Sequence, residues 1–224
     1  FRWFRGRRDL ADDDELSGQV SASGAGERRD GDDPIREEAR ANCELGARYL
    51  RGQGVAKDPE KAYRWFKKAA EVDLPEAQNN IGVLYRRGEG VGMDLARAVH
   101  WFRLAAEQDY APAQYNLARR YQTGTGVERN HGLAFSWFEK AAQQGNPGAQ
   151  SRLAECYFRG IGVAKDHKAG LTWLYRAAEN GYASAQFNLG RALMNGLGTD
   201  RDVSEGIAWY TRAAEAGITR AQFQ

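Results

Sequence analysis

Apolar and small residues recur at i, i+4 and i+8 along this chain, and the whole stripe returns every 36 residues from about residue 42 to the end. Ala77, Ile81 and Tyr85 form one such stripe, which comes back as Leu45/Tyr49, Leu117/Tyr121, Leu153/Tyr157 and Leu189, with Leu193 in place of the tyrosine. That spacing belongs to one face of an α-helix, here running roughly from Pro75 to Arg87 in the second repeat. An Ala-Gln pair opens each such helix A, at Gln78, Gln114, Gln150, Gln186 and Gln222. Behind the Leu or Ile sits a small residue (Gly46, Gly82, Ala118, Ala154, Gly190), the mark of another backbone passing close by.

A Gly-x-Gly turn follows each helix A (Gly52/Gly54 through Gly196/Gly198), its first glycine suited to a left-handed C-cap. Asp58, Asp94, Asn130, Asp166 and Asp202 are then N-caps for a helix B, with Pro59 and the capping-box partner Glu205 as further markers. The inner face of helix B is expected to carry Ala62, Trp65, Phe66 and Ala69, and the tryptophan recurs as Trp101, Trp137, Trp173 and Trp209. A period of this length predicts an all-α fold: a right-handed α/α superhelical solenoid of about five 36-residue helix-turn-helix repeats. The expected repeats are residues 39 to 74, 75 to 110, 111 to 146, 147 to 182 and 183 to 218, with a sixth starting at 219 to 224.

Residues 1 to 33 break the pattern. Nine acids, six arginines and a Gly/Ser-rich middle leave them net negative by three, so they are expected to be a disordered charged linker, with order starting at Asp33-Pro34. The chain's formal net charge of +2 gives no general case for nucleic acid. No run of about 18 apolar residues exists, so a membrane connection would come only through sequence upstream of Phe1. Cys43 and Cys156 lie about three repeats apart, on the order of 30 Å if helices pack at roughly 10 Å, and are expected to be free thiols.

The stretch Ile81-Gly82-x-x-Tyr85 followed by Ala98-x-x-x-Phe102-x-x-Ala105 resembles the tetratricopeptide pattern, with two residues added to the loop. The longer loop, its Gly-x-Gly-Val signal, the tryptophan of helix B and the Ala-Gln start look like the Sel-one-like repeat family across residues 34 to 224. That resemblance implies a non-enzymatic adaptor for protein complexes, often bacterial, in the envelope, periplasm or cytoplasm. Cysteine-rich relatives have been described as β-lactamases, and the regularly paired cysteines of those proteins are absent here; a hydrolase of that type, or the regulatory array of a larger envelope or signalling protein, is the alternative.

No constellation for chemistry emerges from the columns. His131 and His167 share a column whose other members, Pro59, Leu95 and Val203, are not ligands, and His100 has no nucleophile or acid placed beside it. No cofactor and no metal are expected. Function is expected where the columns disagree, along a concave face lined by helix A. Asn79, Tyr115, Phe187, Arg86, Arg87, Arg119, Phe158, Arg159, Arg191 and Met194 are the candidate partner-binding residues there. Arginine with interspersed aromatics is an interface composition, and its forks suit an acidic, partly hydrophobic protein segment. The alternative is that these arginines form a solvated helix face.

Overall fold

The computed structural model describes residues 33 to 217. The expected linker at 1 to 32 and the expected sixth helix start at 219 to 224 lie outside the described residues. The described residues are all-helical apart from turns: α1 (Pro34–Arg51), α2 (Pro59–Ala70), α3 (Pro75–Arg87), α4 (Leu95–Glu107), α5 (Ala111–Thr123), α6 (His131–Gln143), α7 (Pro147–Arg159), α8 (His167–Glu179), α9 (Ala183–Met194) and α10 (Val203–Glu215). They divide into two compact units, one ending at Arg129 and one starting at Asn130. In the first unit α1 pairs with α2 and α3 with α4, while α2 packs on α3 and α4 on α5. In the second, α7 pairs with α8 and α9 with α10, and α6 and α8 pack on the A helix that follows each.

Each helix B starts where the sequence places its cap. The side chains of Asp58, Asp94, Asn130, Asp166 and Asp202 each accept 2.9 Å bonds from the amide three residues on. The reciprocal half of the capping box is used differently: Glu205 Oε1 accepts from Tyr175 Oη at 2.9 Å and from Trp209 Nε1 at 3.1 Å. Four A helices end on a left-handed glycine as expected, but α9 stops at Met194 and is capped by Asn195.

The recurring glutamine ties one repeat to the next. Gln114, Gln150 and Gln186 donate to the carbonyls of Ala106, Ala142 and Ala178 at 3.2 to 3.3 Å, closing the C-terminal end of the preceding helix B. The second loop glycine does similar service. A Cβ on Gly90 or Gly126 would fall on the carbonyl of Pro59 or Leu95, at the start of the preceding helix B, and both glycines have positive φ.

Where paired helices cross, a Cβ on Gly46 would stand 2.8 Å from the Phe66 ring, and one on Gly82 would stand 2.7 Å from Phe102. The close approach expected at this column is present in both repeats. Helix B differs from expectation by one residue. Phe66, Phe102 and Phe138 are fully buried, whereas Trp65, Trp101, Trp137 and Trp173 are half-buried and only Trp209 is buried. A tryptophan one position before the core stripe lies about 100° round the helix, on the boundary with solvent. There a basic side chain three residues on covers its ring, as Lys140 does over Trp137 and Arg176 over Trp173 at 4.5 Å.

Candidate functional site

The candidate A-helix residues fall into different environments in the two units. In α3 every residue from Ala77 to Arg86 is buried, because α2, α4 and α5 pack on it and Asn80 reaches α1. Asn79 has no exposed surface, and its Oδ1 accepts from Asn116 Nδ2 at 2.9 Å. One repeat earlier, Asn80 Nδ2 lies 3.7 Å from Cys43 Sγ. Asn79, read from the sequence as groove surface, is instead part of an internal series of polar contacts joining successive A helices. Tyr115 is 2% exposed with the Arg119 guanidinium 5.9 Å from its ring centre, and Arg119 and Arg86 are 5% and 9% exposed. Of the first-unit candidates, only Arg87 is half-exposed.

In the second unit the candidate positions are more open, apart from the buried Phe158. Arg159 is exposed, and Phe187, Arg191 and Met194 are half-buried. Arg159 Nη1 contacts Glu155 Oε1 at 2.6 Å while Arg152 Nη1 holds the other oxygen at 3.2 Å, so a buried carboxylate sits between two arginines, each about one turn from it. The trio keeps one net positive charge. Arg191 stands 5.6 Å from the Phe187 ring centre, and burial of its guanidinium lowers its pKa.

Phe158 and Met194 turn elsewhere. A Cβ added to Gly170 would stand 3.2 Å from the Phe158 ring, and one added to Gly206 would overlap Met194 Cγ. The column of Gly170 and Gly206 holds Ala62 and Ala98 in the first two repeats, where Leu50 and Arg86 occupy the last turn of helix A. Variation at Phe158 and Met194 is therefore matched by the loss of a methyl on the partner helix, which is packing compensation.

The remaining chemistry is quiet. Both cysteines are free, and burial pushes each thiol up to about 12, which leaves almost no thiolate at neutral pH. His131 and His167 are exposed. Among the described residues no group of three His, Cys, Asp or Glu side chains is placed to hold a metal, and no helix is long and apolar enough to cross a membrane. An open cleft of about 510 Å³ beside Tyr157 is lined by residues 163 to 167, whose Asp166 carboxylate is already the N-cap of α8.

One surface escaped the sequence reading. Lys61, Arg64 and Lys67 on α2, and Arg97, His100 and Arg103 on α4, are all exposed and occupy the same three columns. The signal was present in the alignment of the repeats, but in helix B rather than helix A.

Paired helices, glutamine-tied junctions and glycine-locked loops define a helical repeat protein of tetratricopeptide-like type. The chain belongs to the Sel1 repeat family: the Sel1 repeat model matches residues 39–73, 75–110, 111–146, 147–182 and 183–218. Two solved relatives have the same fold at a TM-score of 0.76, each over 83% of this chain. One is a protective antigen present in uropathogenic Escherichia coli strains, 38% identical, of which this chain covers 40%. The other is a Sel1 repeat protein from Oxalobacter formigenes, 31% identical and covered to 74%. An immunity protein from Pseudomonas aeruginosa, 22% identical with a TM-score of 0.56, shares the fold alone. No curated protein matches the chain. Sel1 repeat proteins are generally protein-interaction scaffolds.

Proposed function

We propose that the protein is a non-enzymatic scaffold that holds a partner protein or peptide on the A-helix face of its second unit, through Arg159, Phe187 and Arg191. The observation behind this reading is the division of labour within α7 and α9. Their framework side chains Leu153, Gln150, Leu189 and Gln186 are buried in packing, while those three variable positions keep exposed surface on the same helices. A half-buried aromatic beside an arginine offers an apolar anchor with a polar rim. Arg159 shares Glu155 with Arg152, so it is able to swing to a partner carboxylate without leaving Glu155 unpaired. The occupant that fits is an acidic, partly hydrophobic segment.

Photo-crosslinking from position 187 in the full chain would identify a partner, and purified partner would then be titrated against Arg159→Glu/Arg191→Glu. The double variant should bind at least about tenfold more weakly at unchanged helicity. Equal binding by the double variant would remove the reading. A chromogenic lactam turned over by the wild type, and not by a folded point variant, would replace it with the hydrolase alternative.

A further inference from the structure

The outer face of the first two repeats carries charge that the fold does not require. Lys61, Arg64 and Lys67 follow one another at i, i+3 and i+6 on α2, and Arg97, His100 and Arg103 repeat the row on α4. The equivalent positions of α6, α8 and α10 are Leu133, Ser136 and Glu139; Ala169, Thr172 and Tyr175; and Glu205, Ala208 and Thr211. The N-cap hydrogen bond is the same in all five repeats, so the last three serve as an internal control. They form the same helix with no cation at any of these nine positions. Three columns switch together from basic to neutral or acidic, which helix stability does not demand.

The two rows are held in place. Lys61 Nζ lies 3.1 Å from Asp58 and Arg97 Nε 3.2 Å from Asp94, so the N-cap carboxylates fix one end of each row. Arg103 Nη2 donates to Tyr121 Oη at 3.2 Å. Between the rows, the Tyr63 and Tyr85 hydroxyls meet at 3.1 Å, and the Arg97 guanidinium stands 5.6 Å from the Tyr85 ring centre. The Tyr85 phenol, hydrogen-bonded to Tyr63 and flanked by Arg97 and Lys67, has its pKa lowered, whereas burial and then Glu139 and Asp166 raise that of the corresponding Tyr157.

We infer that the outer face of α2 and α4 is a second docking surface, centred on Arg64, Lys67 and Arg103, for an acidic segment of another protein. Six residues of helix rise about 9 Å, so each row matches one or two turns of a segment carrying carboxylates on one side. A nucleic acid strand fits less well. Tyr63 and Tyr85 are packed edge-to-face at 82°, leaving no free stacking platform between the rows, and the chain's net charge is only +2. A bilayer also fits less well, since the large exposed apolar side chains of the first unit's described residues, Ile35 and Met93, lie off both rows.

The test uses the full chain and a short fluorescent peptide rich in aspartate and glutamate, read by anisotropy at low and moderate salt. Arg64→Glu/Lys67→Glu/Arg103→Glu should weaken binding by at least about tenfold, and the glutamine triple variant by less but in the same direction. Lys57→Glu/Arg129→Glu/Lys165→Glu, which removes three exposed loop cations, should stay within about twofold of wild type. Loss in the Arg159/Arg191 variant alone would overturn this inference while leaving the second-unit surface standing. Equal losses in the outer and loop variants would reduce the effect to bulk charge and overturn it as well. Tighter binding of oligothymidylate or phosphatidylserine vesicles through Arg64, Lys67 and Arg103 would also contradict it, assigning the patch to nucleic acid or to membrane.

Discussion

The two units share one framework and present different surfaces. In the first, α3 is buried from Ala77 to Arg86, and two matching rows of basic residues reach solvent on α2 and α4. In the second, α7 and α9 keep Arg159, Phe187 and Arg191 partly open, and helix B is neutral or acidic at the corresponding columns. The junction residues differ as well. Left-handed turns leading into α3 and α5 use Asp73 and Asp109, held by Gln78 and Gln114 at 3.3 Å, where those leading into α7 and α9 use Gly145 and Gly181. A repeat thus fixes where helices go, while the side an array offers to partners is set locally.

The largest effects should come from the shared framework. Phe102→Ala should cost about 3 to 5 kcal/mol and Leu174→Ala, its second-unit equivalent, about 2 to 5 kcal/mol by chemical denaturation. Trp101→Ala, at the half-buried neighbouring position, should cost distinctly less than Phe102→Ala. Equal losses at 101 and 102 would restore the tryptophan to the core stripe. Next comes the compensation seen in the second unit: Gly170→Ala should cost about 1 to 3 kcal/mol by crowding Phe158, and adding Phe158→Leu, the Ala/Leu combination of the first repeat, should recover most of it. No recovery in the double variant would mean that the two positions vary independently.

A smaller effect concerns the glutamine junctions. Gln78 Oε1 accepts from Gln108 at 2.8 Å and Gln150 Oε1 from Asn180 at 3.1 Å, but the residue 30 positions after Gln186 is Ala216, and Gln186 Oε1 is buried without a hydrogen bond. Ala216→Asn should raise stability by about 0.5 to 1.5 kcal/mol, and Asn180→Ala should lower it by a similar amount. Unchanged melting for Ala216→Asn would show that the acceptor is satisfied in solution.

Smallest is a pH effect at the cap of α2. Asp58, accepting from the Lys61 amide and beside its ammonium, has its pKa lowered from the ordinary 3.8. A depressed folded pKa means that the stabilisation is present at neutral pH and is lost as pH falls below that ordinary value. Asn130, the cap of α6, does not titrate. Asp58→Asn should therefore flatten the acid limb of the stability curve; an unaltered limb would dismiss the cap as its source.

Much of the architecture is legible in the residues. The start of α3 at Pro75 and its end at Arg87, the five helix B caps and the close approach at Gly46 and Gly82 all follow from local chemistry that acts within a few residues. The surfaces do not. Column variation at Asn79, Phe158 and Met194 looks like recognition in one dimension, yet those side chains answer to Asn116, Gly170 and Gly206, partners set by tertiary packing. Charge also misleads, because Arg86 and Arg119 are read as solvent-facing until neighbouring helices bury them. The cations of α2 and α4 were visible by the same alignment and needed only that helix B be read beside helix A.

Arginine-selective footprinting of the full chain, mapped residue by residue, tests this partition most directly. Arg64, Arg97, Arg103 and Arg159 should react much faster than Arg86, Arg119 and Arg120, which remain protected until the chain unfolds. Reaction of Arg86 and Arg119 as fast as Arg64 would return the basic surface of the first unit to its A helices and contradict the account.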